Sequence, residues 1–167
     1  MNVGLVLVRV VPGALLIGHG TQKLFGWFGG RGLAATGTSF ASNGYRPGAV
    51  FAFLAGFGEA GGGLLLALGF LTPLGCAAII GVMLNAVVSV HWTKGIWATN
   101  GGFEYPLTLA VVAAGIAFTG PGRFSVDHAL GLDLHGIGWG LAAVGVGLAS
   151  GVVTLVIRSR ARRNAVD

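Results

Sequence analysis

The chain has 167 residues, of which 54% are apolar and only 9% are charged, and its formal net charge is +5. A soluble domain normally carries about 25% charged residues, so this composition excludes a soluble domain, whose surface must face water. The positive charge does not indicate nucleic-acid binding, because four of the ten basic residues cluster at the C-terminus, next to an apolar segment.

Five apolar segments approach the length of about 20 residues that a membrane-spanning helix needs. They cover approximately residues 3–28, 49–71, 74–92, 105–120 and 136–157. The first is interrupted by Arg9 and Pro12, and the fourth is short and begins at Tyr105-Pro106, where proline suits a first helical turn. The sequence therefore predicts an all-α, polytopic transmembrane helix bundle, with four core helices and a fifth helix at the C-terminus.

Two hydrophilic connections, residues 29–48 and 93–104, fall on the same side of the membrane as the C-terminus if all five segments cross. That side then holds eight basic residues, which are Lys23, Arg31, Arg46, Lys94, Arg158, Arg160, Arg162 and Arg163. The opposite side holds only Arg9 and Arg123. By the positive-inside rule, we expect a multi-pass protein of the cytoplasmic membrane whose long connections and C-terminus are cytoplasmic. This orientation depends on the fifth crossing.

Ionisable side chains inside membrane spans are costly, so each suggests a function or a helix pairing. Glu59 lies near the middle of the second span, and Asn85 lies at a similar depth in the antiparallel third span. Two interpretations stay open. Glu59 and Asn85 form a hydrogen bond that fixes helix packing, or Glu59 is a buried carboxyl that exchanges protons.

More polar residues collect where the first and third spans end and the fourth begins. His19, Gln22 and Lys23 share one helical face. Because antiparallel helices bring these ends together, the sequence predicts a polar pocket near the cytoplasmic interface. Its candidate catalytic residues are Glu59, His19, His91 and Glu104. Its candidate ligand-binding residues are Lys23, which we place at the rim, Asn85, Trp92 and Tyr105.

A quinone fits such a pocket better than a haem, a di-iron centre or a single metal ion. His19 and His91 could serve as axial ligands of a haem, but no haem motif is present. A di-iron centre needs repeated Glu-x-x-His pairs, which the sequence lacks. A metal held by His and Glu from separate helices is a weaker alternative than a quinone that exchanges protons with His or Glu. His128 and His135 are expected to be solvated loop residues.

At these polar positions the chain resembles the DoxX family of small bacterial membrane proteins. The resemblance rests on residues 19–32 (HGTQKLFGWFGGRG), on Glu59 with Gly61, Gly62 and Thr72, on residues 91–95 (HWTKG), and on residues 100–107 (NGGFEYPL) and 120–127 (GPGRFSVD). It implies a four-helix membrane bundle over residues 1–130. Residues 131–167, with the fifth segment and the arginine tail, depart from the family pattern as an additional C-terminal segment.

The resemblance also suggests a redox context, because relatives include subunits linked to terminal quinol oxidase and to thiosulfate:quinone oxidoreductase. One relative is described as joining a membrane oxidoreductase complex with superoxide dismutase and a sulfurtransferase. We therefore expect an integral membrane subunit of a quinone-linked oxidoreductase complex that docks soluble partners. A non-catalytic scaffold or assembly protein and a small-solute or proton-coupled transporter are the alternatives. The expected partners are the lipid bilayer and other proteins, with homo-oligomerisation left open and no nucleic acid.

Overall fold

The structure is a computed structural model that describes residues 2–164, and within this range it contains helices and turns but no strands. Met1, the first residue of the predicted segment 1–130, and residues 165–167, the last of the predicted segment 131–167, lie outside the described residues. The helices are α1 (Asn2–Phe25), α2 (Gly32–Ser42), α3 (Gly48–Leu68), α4 (Thr72–Ala86), α5 (Glu104–Thr119), α6 (Val126–Ala129) and α7 (Ile137–Arg163). A π-helical segment, Val87–His91, and a 3-10 turn, Trp92–Lys94, extend α4.

Four helices are long and apolar enough to cross a membrane: α1, α3, α4 with its extension to Lys94, and α7. Helix α5 has 16 residues, which gives a length of about 24 Å, somewhat less than the roughly 30 Å of a bilayer's hydrocarbon core. It nevertheless packs beside α4 and α7 as part of the bundle. The predicted fold class, an all-α polytopic helix bundle, is confirmed.

Glycines set the distance between α1 and α3, the most extensively packed helix pair. A Cβ atom on Gly20 would lie 2.4 Å from the carbonyl oxygen of Gly56, and one on Gly63 would lie 2.6 Å from the carbonyl oxygen of Gly13. Neither position can accommodate a side chain without moving a backbone. In membrane bundles, such small residues allow close approach of helices where the hydrophobic effect gives no drive for association. These contacts fix how α1 and α3 are rotated toward each other.

Helix α7 packs against α4 and α5 and belongs to the same core. A Cβ atom on Gly147 would lie 2.9 Å from the carbonyl oxygen of Ala77, and Ala143 is buried among the core residues. At its C-terminal end, Arg158 Nε donates to the carbonyl oxygen of Asn43 at 2.7 Å. The end of α7 therefore lies beside the turn between α2 and α3. The predicted division of the chain near residue 130 stays a prediction.

The segment between α1 and α3, which the sequence suggested is a hydrophilic connection, contains α2. Its small residues form a close contact with the start of α3, where a Cβ atom on Gly48 would lie 2.2 Å from the carbonyl oxygen of Gly37. The turn that follows α2 carries Tyr45, which is only 3% exposed. This connection therefore covers part of the bundle and adds a buried side chain to it.

Candidate functional site

A cavity of about 600 Å³ lies at the end of the bundle where α1 and α4 finish and α3 and α5 begin. Most of its lining is apolar, from residues such as Leu16, Phe51, Leu54 and Leu109. The polar lining side chains are His19, Lys23, Asn43, Tyr45, Glu59, Asn85, Ser89, His91, Tyr105, Ser150 and Thr154. Ligand sites typically combine this kind of apolar wall with a few polar groups that orient the ligand.

An ion pair joins α1 to α3 in the wall of this cavity. Lys23 Nζ donates to Glu59 Oε2, and the two side chains are 27% and 7% exposed, respectively. The close approach of α1 and α3 at Gly20 and Gly56 brings the two side chains within reach. The packing alternative from the sequence, a Glu59–Asn85 hydrogen bond, is therefore wrong in its choice of partner. Lys23, which the sequence predicted at the rim of the pocket, is also the ion-pair partner of Glu59.

A second, uncharged polar group forms around Tyr45. Its hydroxyl contacts Asn85 Oδ1 at 2.9 Å and Ser89 Oγ at 2.5 Å. Asn85 Nδ2 in turn donates to the carbonyl oxygen of Gly151 at 3.2 Å. The guanidinium of Arg158 lies 5.5 Å from the centre of the Tyr45 ring, within the range of a cation–π interaction. Asn85 therefore joins α4 to α7 and to the turn after α2.

Little in the sequence indicates that Tyr45 belongs to the site. Tyr45 lies in a turn, between Gly44 and Arg46, and no helical periodicity relates it to the spans. Its burial depends on the packing of α2 against α3. An aromatic residue in an otherwise hydrophilic connection was the one available signal, and it is a weak one.

The π-helical segment at the end of α4 shapes the same cavity. Ser89, Val90 and His91 all belong to Val87–His91, and all three line the cavity. Neighbouring side chains on an ideal α-helix point about 100° apart, whereas the wider π-helical turn alters this spacing. Single π-helical turns are frequent at functional sites. The π-helical segment after α4 thus places three consecutive residues in the lining of one cavity.

Hydrogen bonds hold both cavity histidines in place. His91 Nδ1 lies 2.6 Å from the carbonyl oxygen of Gly101, and His19 Nδ1 lies 3.2 Å from Gln22 Oε1. The His19 ring also meets the Tyr105 ring edge to face, with 5.7 Å between the ring centres. Contacts with other residues of the protein therefore orient both histidine rings without a ligand.

Six of the eight predicted site residues line the cavity, and the structure places Glu104 and Trp92 elsewhere. Glu104 is exposed, and its Oε2 accepts a hydrogen bond from the backbone N–H of Ala98 at 2.9 Å. Trp92 is 63% exposed and stacks on Phe103, with 5.5 Å between ring centres. Both side chains organise the connection between α4 and α5. The expectation that Glu104 shares the cavity with the other three candidate catalytic residues is therefore wrong in its geometry.

The opposite end of the bundle contains a buried polar cluster that the sequence does not indicate as a site. Asp127, 1% exposed, accepts hydrogen bonds from the backbone N–H of Leu71 at 2.7 Å and from that of Thr72 at 3.0 Å, and from Thr72 Oγ1 at 2.6 Å. Arg9, 3% exposed, donates to the carbonyl oxygen of Phe124. Asp127 thus ties α6 to the start of α4, where a carboxylate also complements the helix dipole.

His128 and His135 are both exposed beyond α5, but His128 belongs to the short helix α6, so the prediction of a loop position holds only for His135. Within residues 2–164, no three His, Cys, Asp or Glu side chains are grouped in a way that could hold a metal ion.

The fold and the composition together define a multi-pass integral membrane protein of the helix-bundle type. The DoxX family model matches residues 4–92, more than half of the chain, and the chain belongs to the DoxX family. This match ends at Trp92, so the sequence motifs at residues 100–107 and 120–127 lie outside it. No curated protein and no solved structure matches the chain.

Proposed function

We propose that this protein is the membrane subunit of a quinone-linked oxidoreductase complex and that its cavity holds the ring of a membrane quinone. The observation that carries the proposal is the Lys23–Glu59 ion pair in the wall of an otherwise largely apolar cavity of about 600 Å³. Ligand sites commonly have volumes of about 300–1,000 Å³, and a quinone is an apolar molecule with two polar oxygens. The lining matches that combination.

The chemistry of a quinone explains why ionisable groups are useful in this position. Conversion between a quinone and its hydroquinone moves two electrons and two protons. The electrons are exchanged with a redox group on a soluble partner, and the protons are exchanged with side chains of this chain. Glu59, His19 and His91 line the cavity and are groups that accept and release protons. Lys23 holds the Glu59 carboxylate in a fixed position.

The surface at the cavity end suits a soluble partner with an acidic face. The exposed basic residues at this end are Arg31, Arg46, Lys94, Arg160, Arg162 and Arg163. Positive charge attracts and orients a partner of opposite charge, and it also favours anionic lipid. By the positive-inside rule this end faces the cytoplasm, and the membrane is the cytoplasmic membrane.

One observation favours a second candidate, a scaffold without chemistry. Lys23 and Glu59 already neutralise each other, and Tyr45, Asn85 and Ser89 already satisfy each other's hydrogen bonds. Such contacts can serve only to fix helix packing. The two functions predict different effects of removing the charge of Glu59. If Glu59 exchanges protons, activity falls while the complex stays assembled. If Glu59 only fixes helix packing, assembly of the complex fails first.

Quinone binding to the protein in lipid nanodiscs tests the proposal, with a short-chain quinone as the titrant. We expect binding to the wild type, and weaker binding to Glu59→Gln, which keeps the shape of the side chain but cannot exchange protons. Asp133→Asn is the matched control, since Asp133 carries an 85% exposed side chain at the other end of the bundle. Wild-type protein that binds no quinone would contradict the proposal. A Glu59→Gln variant that binds quinone normally but fails to assemble with its partner would favour the scaffold.

A further inference from the structure

The last turns of α7 carry two arginines on the face that packs against the rest of the protein. On this face, the carbonyl oxygen of Gly151 accepts a hydrogen bond from Asn85, and Thr154 lines the cavity. Arg158 and Arg162 follow Thr154 at steps of four residues, which continue the same face. Residues at this spacing have their Cβ atoms about 5–6 Å apart, so the two arginines are neighbours.

Both arginines lie against the turn between α2 and α3. Arg158 Nε donates to the carbonyl oxygen of Asn43 at 2.7 Å, and its guanidinium lies 5.5 Å from the centre of the Tyr45 ring. The stem of Arg162 lies over Gly44, where a Cβ atom would be 2.5 Å from the Cγ and Cδ atoms of the arginine. Two contacts therefore hold the Arg158 guanidinium in one orientation, and such preorganisation lowers the entropic cost of binding a ligand.

The charges of these two arginines have no counter-ion within residues 2–164. Arg158 uses only Nε in its hydrogen bond, and in this part of the chain neither of its terminal nitrogens has an acceptor. Among the same residues, both ion pairs are formed by other side chains, so no carboxylate neutralises Arg158 or Arg162. A guanidinium presents its N–H donors as a planar fork that matches the oxygens of a phosphate group. The pair of arginines therefore fits a phosphate anion.

The position of the arginines along α7 corresponds to the depth of lipid headgroups. From Ile137 to Ile157 the helix rises about 30 Å, at about 1.5 Å per residue, which matches the hydrocarbon core of a bilayer. Arg158 is the next residue. Just before it, Val153 and Ile157 are exposed apolar side chains that face acyl chains in a membrane. Basic residues beside the end of a span attract anionic lipid. This depth favours a lipid phosphate over a soluble phosphate or an acidic protein.

We propose that Arg158 and Arg162 form a binding site for the phosphate of an anionic phospholipid, whose acyl chains lie along the exposed apolar side of α7. Arg158 donates to the phosphate oxygens through its terminal nitrogens, and Arg162 contributes a second charge. The turn beneath the two arginines also supplies Asn43 and Tyr45 to the cavity wall, so the lipid site adjoins the cavity. Such a site stands whether or not the cavity binds a quinone.

Native mass spectrometry of the full chain in detergent tests the site, with phosphatidylglycerol and phosphatidylcholine of identical acyl chains as probes. We expect the wild type to prefer phosphatidylglycerol. The double variant Arg158→Gln with Arg162→Gln should bind phosphatidylglycerol about ten-fold more weakly than Arg160→Gln with Arg163→Gln, a factor that corresponds to one charge-assisted hydrogen bond. The second pair is the matched control, because it removes the same charge from exposed positions on other faces of α7.

Equal binding by the two double variants would overturn the proposal, since the basic tail would then attract lipid by its net charge alone. A wild type without preference for phosphatidylglycerol would overturn it as well. If the variant at Arg158 and Arg162 does not fold, Arg162→Gln is compared with Arg163→Gln, which leaves the hydrogen bond of Arg158 intact. We then expect about three-fold weaker binding by Arg162→Gln, and equal binding would overturn the proposal.

Glycerol phosphate distinguishes a lipid from a soluble phosphate, because it carries the same anion without acyl chains. Added to the complex of the wild type with phosphatidylglycerol at the concentration of the lipid, it should leave the lipid bound. Displacement of the lipid by glycerol phosphate would identify a site for a soluble phosphate and overturn the assignment to a phospholipid.

Discussion

Removing either partner of the Lys23–Glu59 ion pair should destabilise the protein, and the two removals should differ in size. Lys23→Met leaves the Glu59 carboxylate, with 7% of its side chain exposed, without its cation. Breaking a buried pair in this way costs about 3–5 kcal/mol, because an uncompensated charge remains in a medium of low dielectric constant. The side chain of Lys23 is 27% exposed and lies near the end of α1.

Glu59→Gln should therefore cost less than Lys23→Met. The long stem of Lys23 can move its ammonium group toward water when its partner is gone. The loss is then closer to that of a hydrogen bond to a charged group, roughly 1–3 kcal/mol. The double variant, Lys23→Met with Glu59→Gln, leaves no charge and should lie within about 1–2 kcal/mol of the wild type, because neutral replacements of buried pairs are often nearly neutral.

Reversible unfolding by SDS in bicelles, followed by far-UV circular dichroism, gives the free energies for this cycle. Lys94→Met is the matched control, since Lys94 is exposed and should change the free energy of unfolding by no more than about 0.5 kcal/mol. The reasoning is refuted if Glu59→Gln is as costly as Lys23→Met. It is equally refuted if the double variant is as unstable as the sum of the single variants, because the two residues would then be uncoupled.

Three further predictions concern contacts away from this pair. Asp127→Asn should lower the free energy of unfolding in the same SDS assay by about 1–3 kcal/mol, since an amide supplies one acceptor oxygen where the carboxylate supplies two; an unchanged value would show that its hydrogen bonds are dispensable. Tyr45→Phe should cost about 1–2 kcal/mol by leaving Asn85 Oδ1 without its donor, and a stability equal to the wild type would contradict this. Ser39→Cys and Ser159→Cys should be labelled by a membrane-impermeant thiol reagent from the same, cytoplasmic side, and labelling from opposite sides would refute the five-crossing arrangement.

Features that depend on composition and on position along a helix could be predicted from the sequence. The scarcity of charge and the lengths of the apolar segments determined the class of protein, since a bilayer needs long apolar helices. Depth followed from the fixed rise per residue, about 1.5 Å. That rise, together with alternating helix direction, correctly placed His19, Lys23 and His91 at the same end of the bundle.

Only the tertiary structure decided which side chains meet. The spans are apolar on most of their faces, so periodicity did not reveal how each helix is rotated about its axis. Backbone contacts at Gly20 and Gly56 set that rotation for α1 and α3, and they brought Glu59 to Lys23. The same limit explains Tyr45, whose burial depends on α2 packing against α3. Helix depth follows from counting residues along the chain, whereas the pairing of side chains depends on contacts between segments that are distant in sequence.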